Sequence, residues 1–129
     1  MKIKLFILIG VGGMFGSLAR YGISLLFVTN NSFPFATLIT NFIGCFLLSF
    51  LLNNIYIRQK LSAEIRTVLT TGILGSFTTF STFALETILL WHSQILLALV
   101  YILLSILGGI SFCYLGYKLA IHGKRLDVK

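Results

Sequence analysis

Charged side chains are scarce in this sequence, and that scarcity excludes a water-soluble fold. They make up 10% of its 129 residues, whereas hydrophobic residues make up 57% and the mean hydropathy is +1.00. Soluble domains carry about 25% charged residues, so this chain has too few polar side chains to cover a surface that faces water. The composition therefore predicts a membrane protein.

Acidic, cysteine and histidine residues are also few, and their positions exclude further classes. The chain holds three acids, two cysteines and two histidines. Cys45 and Cys113 lie in apolar stretches, where a free cysteine packs as a small hydrophobic side chain, and no spacing suits a metal site. No nucleophile, base and orienting group come together, so an enzyme is the least expected class.

Four apolar stretches are long enough to cross a bilayer, which takes about 20 residues. They cover approximately residues 5–28, 35–55, 68–90 and 95–119, with short polar links between them. The first stretch is longer than the apolar part of a signal peptide and is expected to be retained. We therefore predict an all-α membrane protein with four transmembrane helices that form a single domain over residues 1–129.

Basic residues predict the orientation of the chain. If the N-terminus lies inside, all of the ten lysines and arginines except Arg20 fall on the cytoplasmic side. The positive-inside rule then places both termini in the cytoplasm. The same rule explains the net charge of +7, which needs no nucleic-acid partner.

Arg20 and Glu86 are charged residues within the spans, where a charge is costly and is usually paired or functional. Arg20 comes late in the first span, and two roles stay open for it: its side chain snorkels to the outer surface, or it draws anions to a vestibule. Glu86 is the only acid within a span. It lies near the outer end of the third span, where snorkelling or a structural pairing with Arg20 explains it most simply.

The second and fourth spans carry thin polar stripes. Thr37, Asn41 and Gly44 share one helix face because they are four and three residues apart. Asn41 offers two N–H donors without a charge, although such an asparagine alone is more often a bond between helices. Tyr101 and Ser105, one turn apart, form the second stripe.

Residues 70–83 of the third span combine glycines, hydroxyl residues that are weak helix formers, and three phenylalanines. Two interpretations are open: a helix break that lines a cavity, or a continuous helix whose hydroxyls bond to its own carbonyls. Phe80 and Phe83 share a helix face, and the edge of an aromatic ring carries a partial positive charge. Taken alone such a stripe is more often plain packing, but with the hydroxyls it suits an uncharged, hydrogen-bonding path for a small anion.

Three motifs, at residues 12–21, 37–44 and 72–83, resemble those of the Fluc (CrcB) family of small bacterial fluoride channels, with Thr40 where valine is usual. The resemblance extends over almost the whole chain, and the third motif is highly specific. It implies a fluoride-selective ion channel subunit in the bacterial inner (plasma) membrane that lowers cytoplasmic fluoride by passive export. It also implies an antiparallel dual-topology dimer with two pores, and a third helix broken mid-membrane.

The resemblance further implies roles for individual residues. Backbone carbonyls of Gly75 and Thr78 would hold a structural Na+ at the dimer interface. The fluoride pathway would consist of Asn41, Phe80, Phe83, Ser81, Thr82, Tyr101 and Ser105.

The charge bias leaves the partner subunit open, because a chain that inserts both ways should carry little bias. Either the chain forms a homodimer in spite of the bias, or it inserts one way and pairs with a homologous subunit of opposite orientation.

Two other function classes are weaker. A small four-helix proton-coupled efflux transporter needs an ionisable residue at mid-membrane, which is lacking here, and a non-transporting assembly subunit would need no polar stripe.

Overall fold

The computed structural model describes residues 2–27 and 33–126, with side chains to residue 122. All regular structure over these residues is helical. The elements are α1 (Lys2–Leu26), α2 (Phe35–Asn53), α3 (Ile55–Lys60), α4 (Ala63–Thr67), a π-helical segment (Val68–Leu74), α5 (Gly75–Phe77), α6 (Ser81–Ser93) and α7 (Ile95–Leu126).

Four helices in the described ranges are long and apolar enough to cross a membrane: Lys2–Leu26, Phe35–Asn53, Ala63–Ser93 and Ile95–His122. The shortest has 19 residues, which at 1.5 Å per residue reach about 28 Å and match a hydrocarbon core about 30 Å thick. These helices confirm the predicted all-α architecture with four candidate membrane-spanning helices.

The link between the second and third spans is more ordered than a polar loop. Asn54 begins α3, because its side chain accepts a hydrogen bond from the N–H of Ile57 at 3.1 Å. Ser62 begins α4 in the same way, accepting from the N–H of Ile65 at 3.3 Å. Both are favoured N-cap residues, so each short helix has a local cause.

Small residues let the helices approach closely. Gly16 of α1 is buried, and a Cβ added there would overlap the carbonyl oxygen of Ile73 in the π-helical segment. Gly116 of α7 meets the carbonyl oxygen of Phe46 in α2 in the same manner. Glycine at such positions is the usual device for packing helices within a bilayer. These contacts hold the third span against α1, and α7 against α2.

Helical geometry changes several times along Ala63–Ser93. The π-helical segment ends at Leu74, and α5 ends at Phe77. Thr78 then has the extended angles φ −76° and ψ 156°, and α6 starts at Ser81. π-Helical turns are rare and are frequent at functional sites, so this part of the chain is where we look for one.

Candidate functional site

Asn41 and Thr79 form a reciprocal pair of hydrogen bonds between α2 and the segment that follows α5. The Asn41 Nδ2 donates to the Thr79 carbonyl oxygen at 3.0 Å, and the Thr79 N–H donates to Asn41 Oδ1 at 2.9 Å. Thr79 is 8% exposed, and buried backbone groups need partners. A primary amide supplies a donor and an acceptor side by side, so one side chain satisfies both.

The hydroxyl of Thr79 caps the first turn of α6. It accepts a hydrogen bond from the N–H of Thr82 at 3.2 Å and donates to the Thr82 hydroxyl at 3.1 Å. The Ser81 hydroxyl lies 3.3 Å from the same oxygen. A side-chain oxygen that accepts from the first turn replaces a missing helical partner. Thr79 therefore starts α6 as well as being held by Asn41.

These two arrangements divert the donors of two particular carbonyl groups. In a continuous α-helix the N–H of each residue bonds to the carbonyl four residues earlier. The Thr79 N–H would then bond to Gly75 and the Thr82 N–H to Thr78, but both donate to side-chain oxygens instead. Carbonyls freed in an unwound helix are ligands for Na+ in membrane proteins. The carbonyls of Gly75 and Thr78 fit that role.

An open groove of about 420 Å³ runs along this segment, and every residue that lines it is uncharged. Phe80 is 78% exposed, and its ring lies 5.9 Å from the ring of Phe83. Among the predicted site residues, the groove is lined by Asn41, Gly75, Thr78, Phe80, Phe83 and Ser105. The groove thus combines amide-bearing, hydroxyl-bearing and aromatic residues without a fixed charge.

A second cavity, of about 320 Å³, is lined by Arg20 and Glu86. Glu86 accepts hydrogen bonds at its two carboxylate oxygens, from the Thr37 hydroxyl at 2.9 Å and from the Tyr101 hydroxyl at 2.7 Å. Arg20 and Thr82 line the same cavity. Glu86 is thus held by hydroxyls, while Arg20 faces the same space.

A row of aromatic contacts runs from the groove to Tyr101, which is a hydrogen-bond partner of Glu86. The Phe83 ring lies between those of Phe80 and Tyr101, 5.9 Å and 5.2 Å from them. Tyr101 is fully buried and contacts Phe33 edge-on at 5.5 Å. Edge-on and tilted arrangements are favoured between aromatic rings, so this row fixes the orientation of Phe83.

The predicted site residues therefore divide between two places. Asn41, Phe80, Phe83 and Ser105 line the groove, whereas Thr82 lines the cavity of Arg20 and Glu86. The Ser81 hydroxyl contacts that of Thr79. The Tyr101 ring packs against Phe83, and its hydroxyl donates to Glu86.

Two residues with direct contacts in the site had no predicted role in it. Thr79 lines both cavities, and its place within residues 70–83 was the available signal. Thr37 bonds to Glu86, and its position one turn before Asn41 on the same face was the signal there. Residue type alone does not show that Thr37 and Thr79, rather than other threonines of the chain, contact the site.

Comparison with known proteins identifies the family. The family model described as "CrcB-like protein, Camphor Resistance (CrcB)" matches residues 7–117. This chain belongs to the CrcB family. "Fluoride-specific ion channel FluC 1" of Bacillus cereus (strain ATCC 10987 / NRS 248) is 46% identical, over 92% of this chain and 89% of that relative.

Other CrcB relatives have similar names. "Fluoride-specific ion channel FluC 1" of Desulfitobacterium hafniense (strain Y51) is 44% identical over 83% of this chain and 95% of its own length. "Fluoride-specific ion channel FluC 2" of Listeria innocua serovar 6a is 38% identical over 88% of each. These names are those of ion channels and not of enzymes, and nothing found favours a proton-coupled transporter. With its four apolar helices, this CrcB chain is a multi-pass bacterial membrane protein.

Proposed function

We propose that this chain is a subunit of a fluoride-specific ion channel that lowers cytoplasmic fluoride by passive export. The observation that carries the proposal is the groove beside the helix break, whose lining is polar at several points and uncharged throughout. The names of the relatives supply the identity of the ion. Chemistry alone leads only to a small anion that accepts hydrogen bonds.

An uncharged wall suits conduction of such an anion. An ion must bind well enough to enter and weakly enough to leave, and a fixed cation in the groove would slow its exit. Asn41 has a second Nδ2–H besides the one given to Thr79, and Ser105 adds a hydroxyl. The edges of Phe80 and Phe83 present partial positive charge.

The proposed pathway runs from the groove towards the cavity of Glu86. The row of rings from Phe80 to Tyr101 and the hydroxyl cluster at Thr79 join the two places. Arg20 and Glu86 take vestibule or structural roles at its end. The pathway residues are Asn41, Phe80, Phe83, Ser81, Thr82, Tyr101 and Ser105.

A structural Na+ is proposed at the carbonyls of Gly75 and Thr78. The diversion of the Thr79 and Thr82 N–H groups to side-chain oxygens supports this site, because it leaves both carbonyls without their helical donor. When bound, Na+ would be coordinated by these carbonyl oxygens, and its positive charge would offset their partial negative charges. Asn41 and Thr79 prepare the site by holding the backbone in its non-helical course.

The proposed assembly is an antiparallel dual-topology dimer with the third helix broken mid-membrane. The openness of the groove and the exposure of Phe80 support it, since a second subunit would close the groove into a pore. The partner is either another copy or a homologous subunit of opposite orientation. Relatives named FluC 1 and FluC 2 are compatible with paired subunits.

Fluoride efflux from liposomes tests the function directly. The purified protein is reconstituted in liposomes loaded with potassium fluoride or potassium chloride, and release is followed with ion-selective electrodes after a potassium ionophore is added. We expect fluoride to leave far faster than chloride. Comparable release of the two ions would contradict the proposal.

A further inference from the structure

The link between the second and third spans forms a basic pocket at one end of the helix bundle. α3 and α4 fold against the end of α2 and the start of the π-helical segment, and two adjoining cavities of about 430 and 400 Å³ open there. Arg58 and Arg66 line both cavities. The ion pathway proposed above uses neither residue.

Arg66 has a buried hydrogen-bond donor without a partner. Among the side chains that the structure describes, its Nε is the buried nitrogen or oxygen atom that makes no hydrogen bond. Leaving such a donor unsatisfied is unfavourable, and more so for a charged group. Guanidinium is always protonated and matches the paired oxygens of a phosphate or carboxylate. The unpaired donor and the positive charge of Arg66 therefore favour binding of an anion at this position.

The chain does not provide that anion from its own link. Glu64 is the only acid between residues 54 and 70, and it lines neither cavity. It also lies two residues from Arg66 on α4, and side chains two apart on a helix do not face each other. The pocket thus keeps an excess of positive charge.

The rest of the pocket wall suits hydrocarbon. Leu51, Leu52, Ile57, Leu61 and Leu69 line the larger cavity beside the two arginines. The pocket lies where the second span ends and the third begins, which is the depth of lipid headgroups. Basic residues beside the end of a span attract anionic lipid headgroups.

We propose that Arg58 and Arg66 form a binding site for the phosphate group of an anionic phospholipid, whose acyl chain lies against the leucines of the pocket. The Arg66 guanidinium donates to the phosphate oxygens and thereby satisfies Nε. The Arg58 guanidinium, which is exposed on α3, approaches the phosphate from the open side. By the positive-inside rule this lipid belongs to the cytoplasmic leaflet.

Native mass spectrometry of the purified full chain tests the site. The protein is extracted from vesicles of equal parts phosphatidylglycerol and phosphatidylcholine, and the bound lipids are identified. We expect the wild type to retain phosphatidylglycerol, and Arg66→Gln and Arg58→Gln each to retain roughly tenfold less, as the loss of one charge-assisted hydrogen bond predicts.

Lys60→Gln is the matched control. It removes one positive charge from the same link, but Lys60 is exposed and lines neither cavity, so we expect it to retain the lipid. Equal loss in Lys60→Gln would show a general charge effect and overturn the proposal, as would full retention in both arginine variants. If Arg66→Gln fails to fold, as judged by circular dichroism, Arg58→Gln carries the test.

A second arm separates a lipid from free phosphate and from the partner subunit. Thermal unfolding is measured in detergent with added phosphatidylglycerol or with millimolar inorganic phosphate. A rise of the midpoint with the lipid alone, lost in Arg66→Gln, supports the proposal. An equal rise with phosphate would replace the lipid by a soluble ion, and dissociation of the dimer by Arg66→Gln without lipid loss would assign the arginines to the subunit interface; either result overturns it.

Discussion

The side chain of Asn41 holds the main chain of Thr79 through two hydrogen bonds of opposite direction, 3.0 and 2.9 Å long. The amide orientation is unambiguous, because the Thr79 N–H can only donate and its carbonyl can only accept. The two residues are 38 positions apart in the sequence. This pair joins α2 to residues 78–80, the segment between α5 and α6, and that segment lines the groove.

We expect Asn41→Asp to damage both stability and transport. A carboxylate accepts from the Thr79 N–H but cannot donate to its carbonyl, so two acceptors face each other. We expect a loss of about 1–3 kcal/mol in the free energy of unfolding and at least a tenfold slower efflux. Thermal unfolding and liposome efflux measure the two effects.

Asn53→Asp provides the control for that variant. Asn53 also donates through Nδ2, but to Ser49 within α2 at 2.8 Å. It is 12 residues from Asn41, about 18 Å along the helix, so efflux should remain near the wild-type rate. A wild-type rate in Asn41→Asp would show that the pair with Thr79 does not set the pathway.

Phe80→Ile should nearly abolish fluoride efflux while the protein stays folded and assembled. The substitution keeps an apolar side chain but removes an aromatic ring, with its partially positive edge, from a residue that lines the groove. Efflux and size-exclusion chromatography are measured together. Phe6→Ile is the control, because Phe6 is 71% exposed on α1 and belongs to neither cavity. If both variants conduct equally, the aromatic wall has no role.

Removal of Na+ tests the ion site proposed at Gly75 and Thr78. We expect replacement of sodium by N-methylglucamine to lower the midpoint of thermal unfolding and to reduce efflux, because the proposed site would lose the ion that the carbonyls of Gly75 and Thr78 coordinate. Thr78→Ser keeps the backbone carbonyl, so its sodium dependence should match that of the wild type. Identical behaviour with and without sodium would exclude the ion site.

Labelling from each side of the membrane decides between the two partner models. Lys2→Cys is made in a chain that carries Cys45→Ser and Cys113→Ser and is expressed alone in cells. If an impermeant thiol reagent added outside does not label the introduced thiol, the chain inserts one way and needs a homologous partner, as the charge bias predicts. Labelling of the thiol from outside, and from inside after the cells are made permeable, would show that the chain inserts both ways and would exclude the one-way model.

The spans follow from sequence because they depend on local properties. A stretch of about 20 apolar residues has few alternatives to a membrane helix, and residues 35–55 fold as α2 nearly to the predicted end, at Asn53. The short helices α3 and α4 were missed. Their N-cap residues, Asn54 and Ser62, are present in the sequence. They lie among other polar residues, so the segment was interpreted as a loop.

The contacts of the site were less predictable, because they join residues far apart in the chain. Periodicity placed Asn41 on a polar face, yet no pattern shows that its partner is the backbone of Thr79. Glu86 was expected to snorkel or to pair with Arg20, and its carboxylate instead accepts from Thr37 and Tyr101. Such partners depend on how helices are rotated against each other, which helix-face periodicity does not determine.

The bonding at the break also bears on how quickly an ion can pass. Carriers alternate access by rocking or gating one repeat of the protein against another around the binding site. Here the N–H groups of Thr79 and Thr82 are bonded to side-chain oxygens, and these bonds hold the segment in one backbone course. We therefore expect ions to move past a stationary wall, with flux that rises on warming about as steeply as diffusion in water and shows no saturation typical of a moving carrier.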